Sequence, residues 1–449
     1  MIWWEGSCMR IFKSIALRRV VSLVVLVSML LTVNMILGEL LTPVSYADYF
    51  VHDLETIEKN NEQVDMVFVG ASRVYRTFVP EVFEEELDME CVINAASSSQ
   101  PICASYYQLK YLVKKFHPEN VVLGLTWNQF HSKPNQQSML IVYDRLPLAE
   151  KMEFALNCFE GENLLYALYP YRFRINLSDI ESIYEGKQNL VAHNYEPNRE
   201  KNEYYADTGF VYTTTSYETG TMPINGSGTF SEEKIREVNL AYLDACVELC
   251  KENNIKLHLV TAPSTMMRMY RIENYQGATD YFTKYAEENG LTYHNLNYLV
   301  DREQILPDEL MYDYNHVNGE GAYVTSEIYA DILKKDWAGI DTSEYFYDDL
   351  EEMKESVNRI VAVGADISFD ENNSRLAHIE MESLQNDDVI PYYQIEISVD
   401  EGETFVPLVE WTQEAVFDIE LSVEEEYELK VRAMTGRDGD AEAYQIYRY

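Results

Sequence analysis

The sequence predicts a three-layer α/β domain with a parallel sheet, a C-terminal all-β sandwich and an N-terminal transmembrane helix. Three observations predict this fold class. Short apolar runs alternate with helical patterns between residues 48 and 338, as in parallel sheets with helical crossovers. Apolar residues follow a period of two after residue 358, which is typical of a sandwich. No charged residue occurs from 20 to 38, and an apolar run of that length spans a bilayer.

The apolar run 20–38 predicts a single membrane span. Basic residues precede it and acidic residues follow, so the positive-inside rule places residues 1–19 in the cytoplasm and the rest outside. A cleaved signal peptide is the alternative, because Ser45-Tyr46-Ala47 resembles a cleavage site. The run is long for a signal peptide, and this site lies well past its end. We therefore predict a retained anchor in the cell membrane.

The chain is organised around the stretch from Val64 to Ser72. Its apolar residues predict a buried parallel strand. Gly70 would allow a sharp turn directly after this strand. Since ligands bind at the carboxyl ends of parallel strands, Ser72 falls at a position typical of an active site. A serine needs a neighbouring base to become a nucleophile.

The other strands and helices of the domain follow from the same alternation. Ser97–Pro101 is expected to be a turn before a helix, and Ser231 is expected to start one. The predicted strands are 91–94, 121–125, 255–261 and 291–294, and the predicted helices are 81–87, 102–116, 231–252, 279–289 and 319–334.

An insertion is predicted at about 130–230, where the periodicity weakens. Helices are expected at Leu146–Phe159 and Leu164–Ile183. The stretch 191–228 is polar and tyrosine-rich, and we interpret it as a long loop. It is either a substrate-side lid or a surface excursion.

A candidate general base for Ser72 occurs near the end of the α/β domain. Asp313 and His316 are three residues apart on a predicted loop. This spacing lets the carboxylate accept the Nδ1 proton and leaves Nε2 facing Ser72. Ser264, after the strand 255–261, is a rival nucleophile. It lacks a preceding glycine, so we place it on the substrate side or in a structural role.

Over about residues 64–333 the chain resembles the SGNH (GDSL-like) hydrolases. The likeness is carried by Gly70-Ala71-Ser72-Arg73, by Ile93-Asn94-Ala95-Ala96-Ser97 and by Asp313-x-x-His316. It is closest to the membrane-anchored branch, which includes the lipoteichoic acid D-alanine transfer protein and the alginate O-acetyltransferase-like proteins. The resemblance implies a flavodoxin-like sheet and a Ser72, His316 and Asp313 triad.

The resemblance also implies an oxyanion hole and a substrate side. The oxyanion donors would be the amides of Ser72 and of Ala95 or Ala96, with the Asn128 side chain as a further donor. Arg73 and Asn94 would lie on the substrate side. Arg73 could contact an anionic group of the substrate or a nearby carboxylate. Ala71, Ala95 and Ala96 depart from the residues usual in the family.

The implied function is extracytoplasmic transfer or hydrolysis of O-acyl groups on a cell-envelope polysaccharide or teichoic-acid-like polymer. A transferase would need a multi-pass membrane partner to supply the acyl donor. The alternatives are a catalytically silent binding or assembly component, and a general lipase or peptidase. Val74 breaks the Gly-x-Ser-x-Gly pattern of the last class.

Composition excludes one class of partner. The formal net charge is −41, from 76 acidic against 35 basic residues, which argues against nucleic acid. The sequence indicates no cofactor and no metal site. The six cysteines lack a metal-binding spacing and are interpreted as small apolar residues.

The C-terminal part is predicted to contain an acidic linker at 339–357, which is helical or extended. A β module follows at 358–449. Strands are predicted at 393–399, 405–411 and 427–433. The last of these resembles the tyrosine-corner strand of fibronectin type III domains. Spacing or binding is the role expected of this module.

Overall fold

The computed structural model describes residues 15–173, 179–216, 228–370, 373–421, 426–436 and 441–449. The chain divides into two compact units. One comprises residues 1–52 and 143–196, and the other comprises 53–142 and 197–449.

The first unit contains the apolar helix Ile15–Leu41 and most of the insertion. Its segment Leu17–Gly38 has a mean hydropathy of 2.6, and none of its most apolar stretch is buried. At 1.5 Å per residue this segment is about 33 Å long, enough to cross a hydrocarbon core. The helices from residue 136 to 192 are Gln136–Arg145, Leu148–Cys158, the 3₁₀ helix Gly161–Ala167, Tyr169–Phe173 and Ile180–Ala192.

The predicted helix 164–183 is helical over most of its described residues but is interrupted before Tyr169. Pro170 lacks an amide proton and its ring clashes with the preceding turn, so it cannot lie inside a helix. It occupies instead the second position of the helix Tyr169–Phe173, where no intrahelical acceptor is needed. Part of the predicted span, residues 174–178, lies outside the described residues.

The second unit contains a five-stranded parallel sheet, and the predicted α/β fold class is confirmed. The strands are β1 Met66–Val69, β2 Val92–Asn94, β3 Asn120–Gly124, β4 Lys256–Thr261 and β5 Thr292–Asn295. Each strand is a short, largely apolar run, as expected for a sheet covered on both faces. From one edge of the sheet to the other, the strands lie in the order β2-β1-β3-β4-β5.

Helices cover both faces of this sheet and complete three layers. Side chains of Pro80–Leu87 and Gly319–Trp337 form one core with Met66 and Phe68 of β1. Ile102–Phe116 and Glu237–Glu252 pack against each other and on the sheet. The other helices near the sheet are Ser72–Thr77, Trp127–His131, Met266–Tyr270, Tyr275–Asn289 and Arg302–Ile305. Helix Tyr46–Asn60 precedes β1 in the chain.

One predicted helix starts later than its capping residue suggested. Ser231 is followed by a single 3₁₀ turn, Glu232–Lys234, and the α-helix begins at Glu237. The Arg236 amide donates to the Phe130 carbonyl at 3.0 Å, which holds the intervening backbone extended. A tertiary hydrogen bond therefore overrides the local start signal.

The predicted loop 191–228 contains a β-hairpin that the sequence analysis missed. Glu203–Asp207 pairs with Phe210–Thr213 in antiparallel register. The tip of the hairpin meets the edge strand β2, where the Asn94 amide donates to the Thr208 carbonyl at 2.8 Å. Gly209 has φ +101°, and a Cβ there would overlap the Asn94 carbonyl. Residues 217–227 of the predicted loop lie outside the described residues.

The C-terminal part forms two antiparallel sheets around one apolar core. Within the described residues, one sheet has three strands and the other has four. Three strands were predicted to within one or two residues at each end, and four of the strands in the described residues were missed. In sheet order the strands are Ala362–Asp370, Asn373–Leu384 and Val416–Glu420, then Val406–Thr412, Pro391–Ser398, Glu428–Thr435 and Ala443–Arg448.

The acidic segment before the sandwich is folded onto its neighbours. It contains the helix Leu350–Ser356. Met353 is buried among residues of the α/β domain and the sandwich, including Met267 and Leu384. Arg271 of the α/β domain also pairs with Asp366 of the sandwich at 2.6 Å. Apolar anchors within an acidic stretch thus tie this segment down.

Candidate active site

Ser72 lies where β1 turns into a short helix. It is the first residue of helix Ser72–Thr77, so its amide is among those without an intrahelical acceptor. Gly70 has φ +154°, and a Cβ at Gly70 or at Gly124 would overlap the Val74 side chain. These two glycines therefore let Val74 pack directly beneath the turn. The serine is held at the carboxyl end of the sheet as a result.

The structure brings Ser72, His316 and Asp313 into one hydrogen-bonded relay. Ser72 Oγ lies 2.8 Å from His316 Nε2. His316 Nδ1 lies 2.8 Å from each carboxylate oxygen of Asp313. Because an ionised carboxylate only accepts hydrogen bonds, the imidazole carries its proton on Nδ1. Nε2 is then the acceptor for the serine hydroxyl, as a general base requires.

A tight two-strand turn fixes the carboxylate of this relay. Met311–Asp313 pairs with His316–Val317, so Asp313 stands opposite His316. The amides of Asn315 and His316 donate to Asp313 Oδ1 at 2.7 and 3.0 Å. The Tyr314 carbonyl accepts from the Thr265 amide at 3.1 Å, which ties the turn to the end of β4.

The next helix also positions the turn. Asn318 caps helix Gly319–Trp337 by accepting from the Gly321 amide at 2.9 Å. A Cβ at Gly321 would overlap the carbonyl of Leu310, the residue before the strand Met311–Asp313, so the helix start and this backbone lie in close contact. His316 is therefore placed by rigid elements on both sides.

The electrostatics keep His316 neutral. Burial lowers the pKa of His316 below its ordinary value, the Asp313 hydrogen bond opposes this, and the positive charges of Arg73 and Arg76 add to it. Burial acts to raise the pKa of Asp313, but the hydrogen bonds from the His316 ring and from the Asn315 and His316 amides outweigh burial and lower it. The pair is thus a neutral imidazole beside an ionised carboxylate.

We expect the acid limb of a pH–rate profile to reflect the lowered pKa of His316. The base works only when unprotonated, so kcat/KM should hold down to a midpoint below pH about 6.5. Arg73→Gln removes a neighbouring positive charge and should move that midpoint upward. Lys284→Gln, on an outer helix, is the charge-matched control and should leave it in place. Identical midpoints for all three proteins would contradict this reading.

Ser72 opens into a cleft of about 440 Å³. Asn128 lines it with an exposed side chain, as the resemblance implied for a side-chain donor. A capping box positions Asn128, because Thr126 and Gln129 cap each other at the start of helix Trp127–His131. Gln129 Nε2 also donates to the Gln100 carbonyl at 2.8 Å, which fixes the cap to the neighbouring loop.

The oxyanion donors expected from Ala95 and Ala96 lie elsewhere. The Ala95 amide donates to the Phe68 carbonyl at 2.8 Å and so belongs to the sheet. The Ala96 amide lies 3.4 Å from Asn94 Oδ1. Both residues are buried, and neither lines the cleft. The expectation for this block was wrong because its amides complete the turn after β2.

Asn94 was expected on the substrate side and Ser264 on the substrate side or in a structural role, and both have structural roles. Asn94 is fully buried, and its Nδ2 donates to the carbonyls of Val74 and Phe78 at 3.1 and 2.8 Å. It thereby holds the end of the helix that Ser72 begins. Ser264 is buried, and its hydroxyl donates to Asn297 Oδ1 at 3.1 Å. Neither lines the cleft.

Arg73 does line the cleft, and two of its neighbours were missed. Its Nη2 donates to Asn315 Oδ1 at 2.5 Å. Arg268 lies in a small cavity that Arg73 also lines. Asn315 could have been inferred from its place inside the Asp-x-x-His turn. Arg268 gave no signal, because only the folded chain brings it near residue 73.

No family model matches the chain, and no curated protein matches it. Among solved structures it is similar to a GDSL-like lipase from Bacteroides thetaiotaomicron, with 14% identity and a TM-score of 0.31 over 65% of this chain and 100% of that one. It is also similar to the psychrotrophic esterase EstA from Pseudoalteromonas sp., with 14% identity and a TM-score of 0.29 over 61% and 99%. Likenesses this weak assign neither a family nor an activity.

Proposed function

We propose that this chain is a membrane-anchored serine acyltransferase or esterase of the SGNH type. One observation carries the proposal, namely the relay from Ser72 Oγ through His316 to Asp313 with contacts of 2.8 Å. Its place at the carboxyl end of a sheet in the order β2-β1-β3-β4-β5 supports it. The substrate is an O-acyl ester of an envelope polysaccharide or teichoic-acid-like polymer.

The first half of the reaction forms an acyl-enzyme. Ser72 Oγ attacks the carbonyl carbon of the ester while His316 Nε2 takes the hydroxyl proton. The carbonyl electron pair moves onto oxygen, where the Ser72 amide and the Asn128 side chain are the donors. When this pair returns, the bond to the alcohol oxygen breaks. His316 gives the alcohol its proton, and the acyl group remains on Ser72.

The second half decides between the two activities. His316 accepts a proton from water or from a hydroxyl of an acceptor, and that oxygen attacks the acyl carbon. Ser72 leaves and recovers its proton from His316. Water gives an esterase, and a sugar or polyol hydroxyl gives a transferase. A transferase would receive its acyl groups through a multi-pass membrane partner.

The test is release of acetate from an acetyl ester by the full chain in detergent, with and without a polyol acceptor. Acetate release that falls as acetylated acceptor appears would support a transferase. Acetate release unaffected by the acceptor would support an esterase. If neither acetate nor acetylated acceptor is formed, both the esterase and the transferase activity are refuted.

A catalytically silent binding component is the second candidate. It is favoured by the Ala95 amide, which bonds within the sheet and leaves the oxyanion site one backbone donor poorer than the family pattern. The intact relay argues against it, because a binding module has no need of a base held to a serine. Turnover by the full chain decides between them.

We further propose that the N-terminal helix is a retained anchor. Asn34 of this helix accepts from the Tyr169 amide at 2.9 Å and donates to the Ala167 carbonyl at 3.2 Å. A Cβ at Gly38 would meet the Tyr169 ring at 2.6 Å, so the helix and the insertion are in close contact. Cleavage at 45–47 would remove these partners. With the positive-inside rule, this anchor leaves the relay outside the membrane.

The anchor predicts that the mature chain resists extraction from membranes at alkaline pH and has the mass of the full sequence. A mass corresponding to cleavage near Ala47 would contradict the retained anchor.

The insertion helix Leu148–Cys158 carries exposed apolar residues that recur every four positions, namely Leu148, Met152 and Leu156. These side chains would face lipid beside the anchor.

The C-terminal sandwich is proposed to be a fibronectin type III-like spacer or binding module. Its three-stranded and four-stranded sheets support this proposal. No role in the reaction is proposed for it.

A further inference from the structure

The cleft at Ser72 differs in charge from the rest of the chain. Acidic residues outnumber basic ones by 76 to 35 over the sequence. Yet Arg73 and Lys133 line the cleft, and Arg73 and Arg268 line the small cavity beside it. Among the residues that the structure describes, no carboxylate lines either space, and Asp313 stands behind His316. A cationic recess in an acidic protein concentrates anions.

The two arginines are held there without an ion-pair partner. Arg73 donates to the neutral Asn315 side chain. Arg268 Nε is buried and has no hydrogen-bond partner, and its guanidinium lies 5.4 Å from the centre of the Tyr314 ring. Neither forms an ion pair within the described parts of the chain. By contrast Arg271, three residues on from Arg268, pairs with Asp366.

Such an arrangement is costly unless something else supplies the negative charge. A buried cation without an ion-pair contact loses hydration and gains little Coulomb attraction in return. Burial lowers the pKa of both guanidiniums, and at Arg73 the charge of Asp313 opposes this without an ion pair between the two side chains. A bound anion would recover this free energy through charge-assisted hydrogen bonds.

The two spaces have lining residues in common. Arg73, Thr126 and Asn128 line both of them. The small cavity measures about 20 Å³, room for one oxygen-sized atom. Arg73 directly follows the nucleophile in sequence. An anion with one oxygen in the small cavity would therefore lie beside an ester placed at Ser72.

We propose that Arg73 and Arg268 form a subsite for an anionic group carried by the alcohol part of the ester substrate. This inference rests on the proposed function and narrows its substrate to esters of anionic alcohols. A phosphate and a carboxylate share the required chemistry, since both offer oxygens to a guanidinium fork.

The test compares three acetyl esters that differ in charge. The neutral ester is 1-O-acetylglycerol, and the charged ones are 1-O-acetylglycerol 3-phosphate and 3-O-acetylglycerate. We expect kcat/KM to favour one charged ester by about tenfold or more, which also tells phosphate from carboxylate. Arg268→Met should abolish the preference, because kcat/KM for the charged ester should fall to the value for the neutral ester. Lys284→Gln, which removes one exposed positive charge elsewhere, should preserve the preference.

A binding measurement separates this subsite from the reaction itself. Calorimetry with the full-length Ser72→Ala protein should detect glycerol 3-phosphate or glycerate, and adding Arg268→Met should abolish that binding. Binding without any turnover by the wild type would support the subsite and refute the proposed function. Equal kcat/KM for all three esters, or a preference that survives Arg268→Met, would overturn the subsite.

Discussion

Replacing Ser72 by alanine is expected to reduce acetate release by about 10⁴-fold or more. The substitution removes the only atom that His316 Nε2 contacts at 2.8 Å in the relay. Without it no acyl-enzyme forms, and any residual rate comes from water and the remaining donors. The measurement is kcat/KM for an acetyl ester with the full chain in detergent.

Ser264→Ala is the matched control for that prediction. Ser264 also follows a strand of the sheet, yet it is buried against Asn297 and does not line the cleft. We expect its loss to change kcat/KM little. If Ser264→Ala removed turnover while Ser72→Ala kept it, the assignment of the nucleophile would be wrong.

Asp313→Asn is expected to lower kcat by about 10⁴-fold while leaving the fold intact. An asparagine amide can donate to Nδ1, which would move the imidazole proton to Nε2. The histidine could then no longer accept the serine proton. The side-chain oxygen can still accept from the Asn315 and His316 amides, so the turn should persist.

The fold of Asp313→Asn is checked by its thermal unfolding, which should stay close to that of the wild type. Asp418→Asn is a useful control, because Asp418 also contacts a histidine, His378, at 2.8 Å but lies exposed in the sandwich. A loss of activity shared equally by both variants would contradict a specific role for Asp313.

The sheet and the relay could be predicted because their signals are local. The run from Val64 to Val69 is buried throughout except Asp65, and Gly70 breaks it where the backbone leaves the ordinary φ range. The Asp-x-x-His spacing is itself the turn, since the Asp313 carboxylate binds amides two and three residues on. Because the α/β pattern places Ser72 at the carboxyl end of a strand, the Asp313 and His316 pair could be predicted to lie beside it.

The rest depended on contacts between distant segments. Hairpin 203–213 was missed, although Asp207-Thr208-Gly209 between tyrosine-rich runs is a turn signal. The family pattern also misplaced the oxyanion block. Resemblance alone could not tell that the Ala95 amide bonds to Phe68, because that bond exists only when β1 and β2 lie side by side. Arg268 reaches the small cavity beside the cleft by tertiary folding alone.

The most direct test of the account is to trap the acyl-enzyme. The full chain is mixed with an acetyl ester, quenched in acid within a turnover, digested and analysed by mass spectrometry. We predict one acetyl group on the peptide that contains Ser72, absent from Ser72→Ala and depleted by adding an acceptor. Turnover with an unmodified Ser72 peptide, or an acetyl group on another residue, would contradict the serine relay.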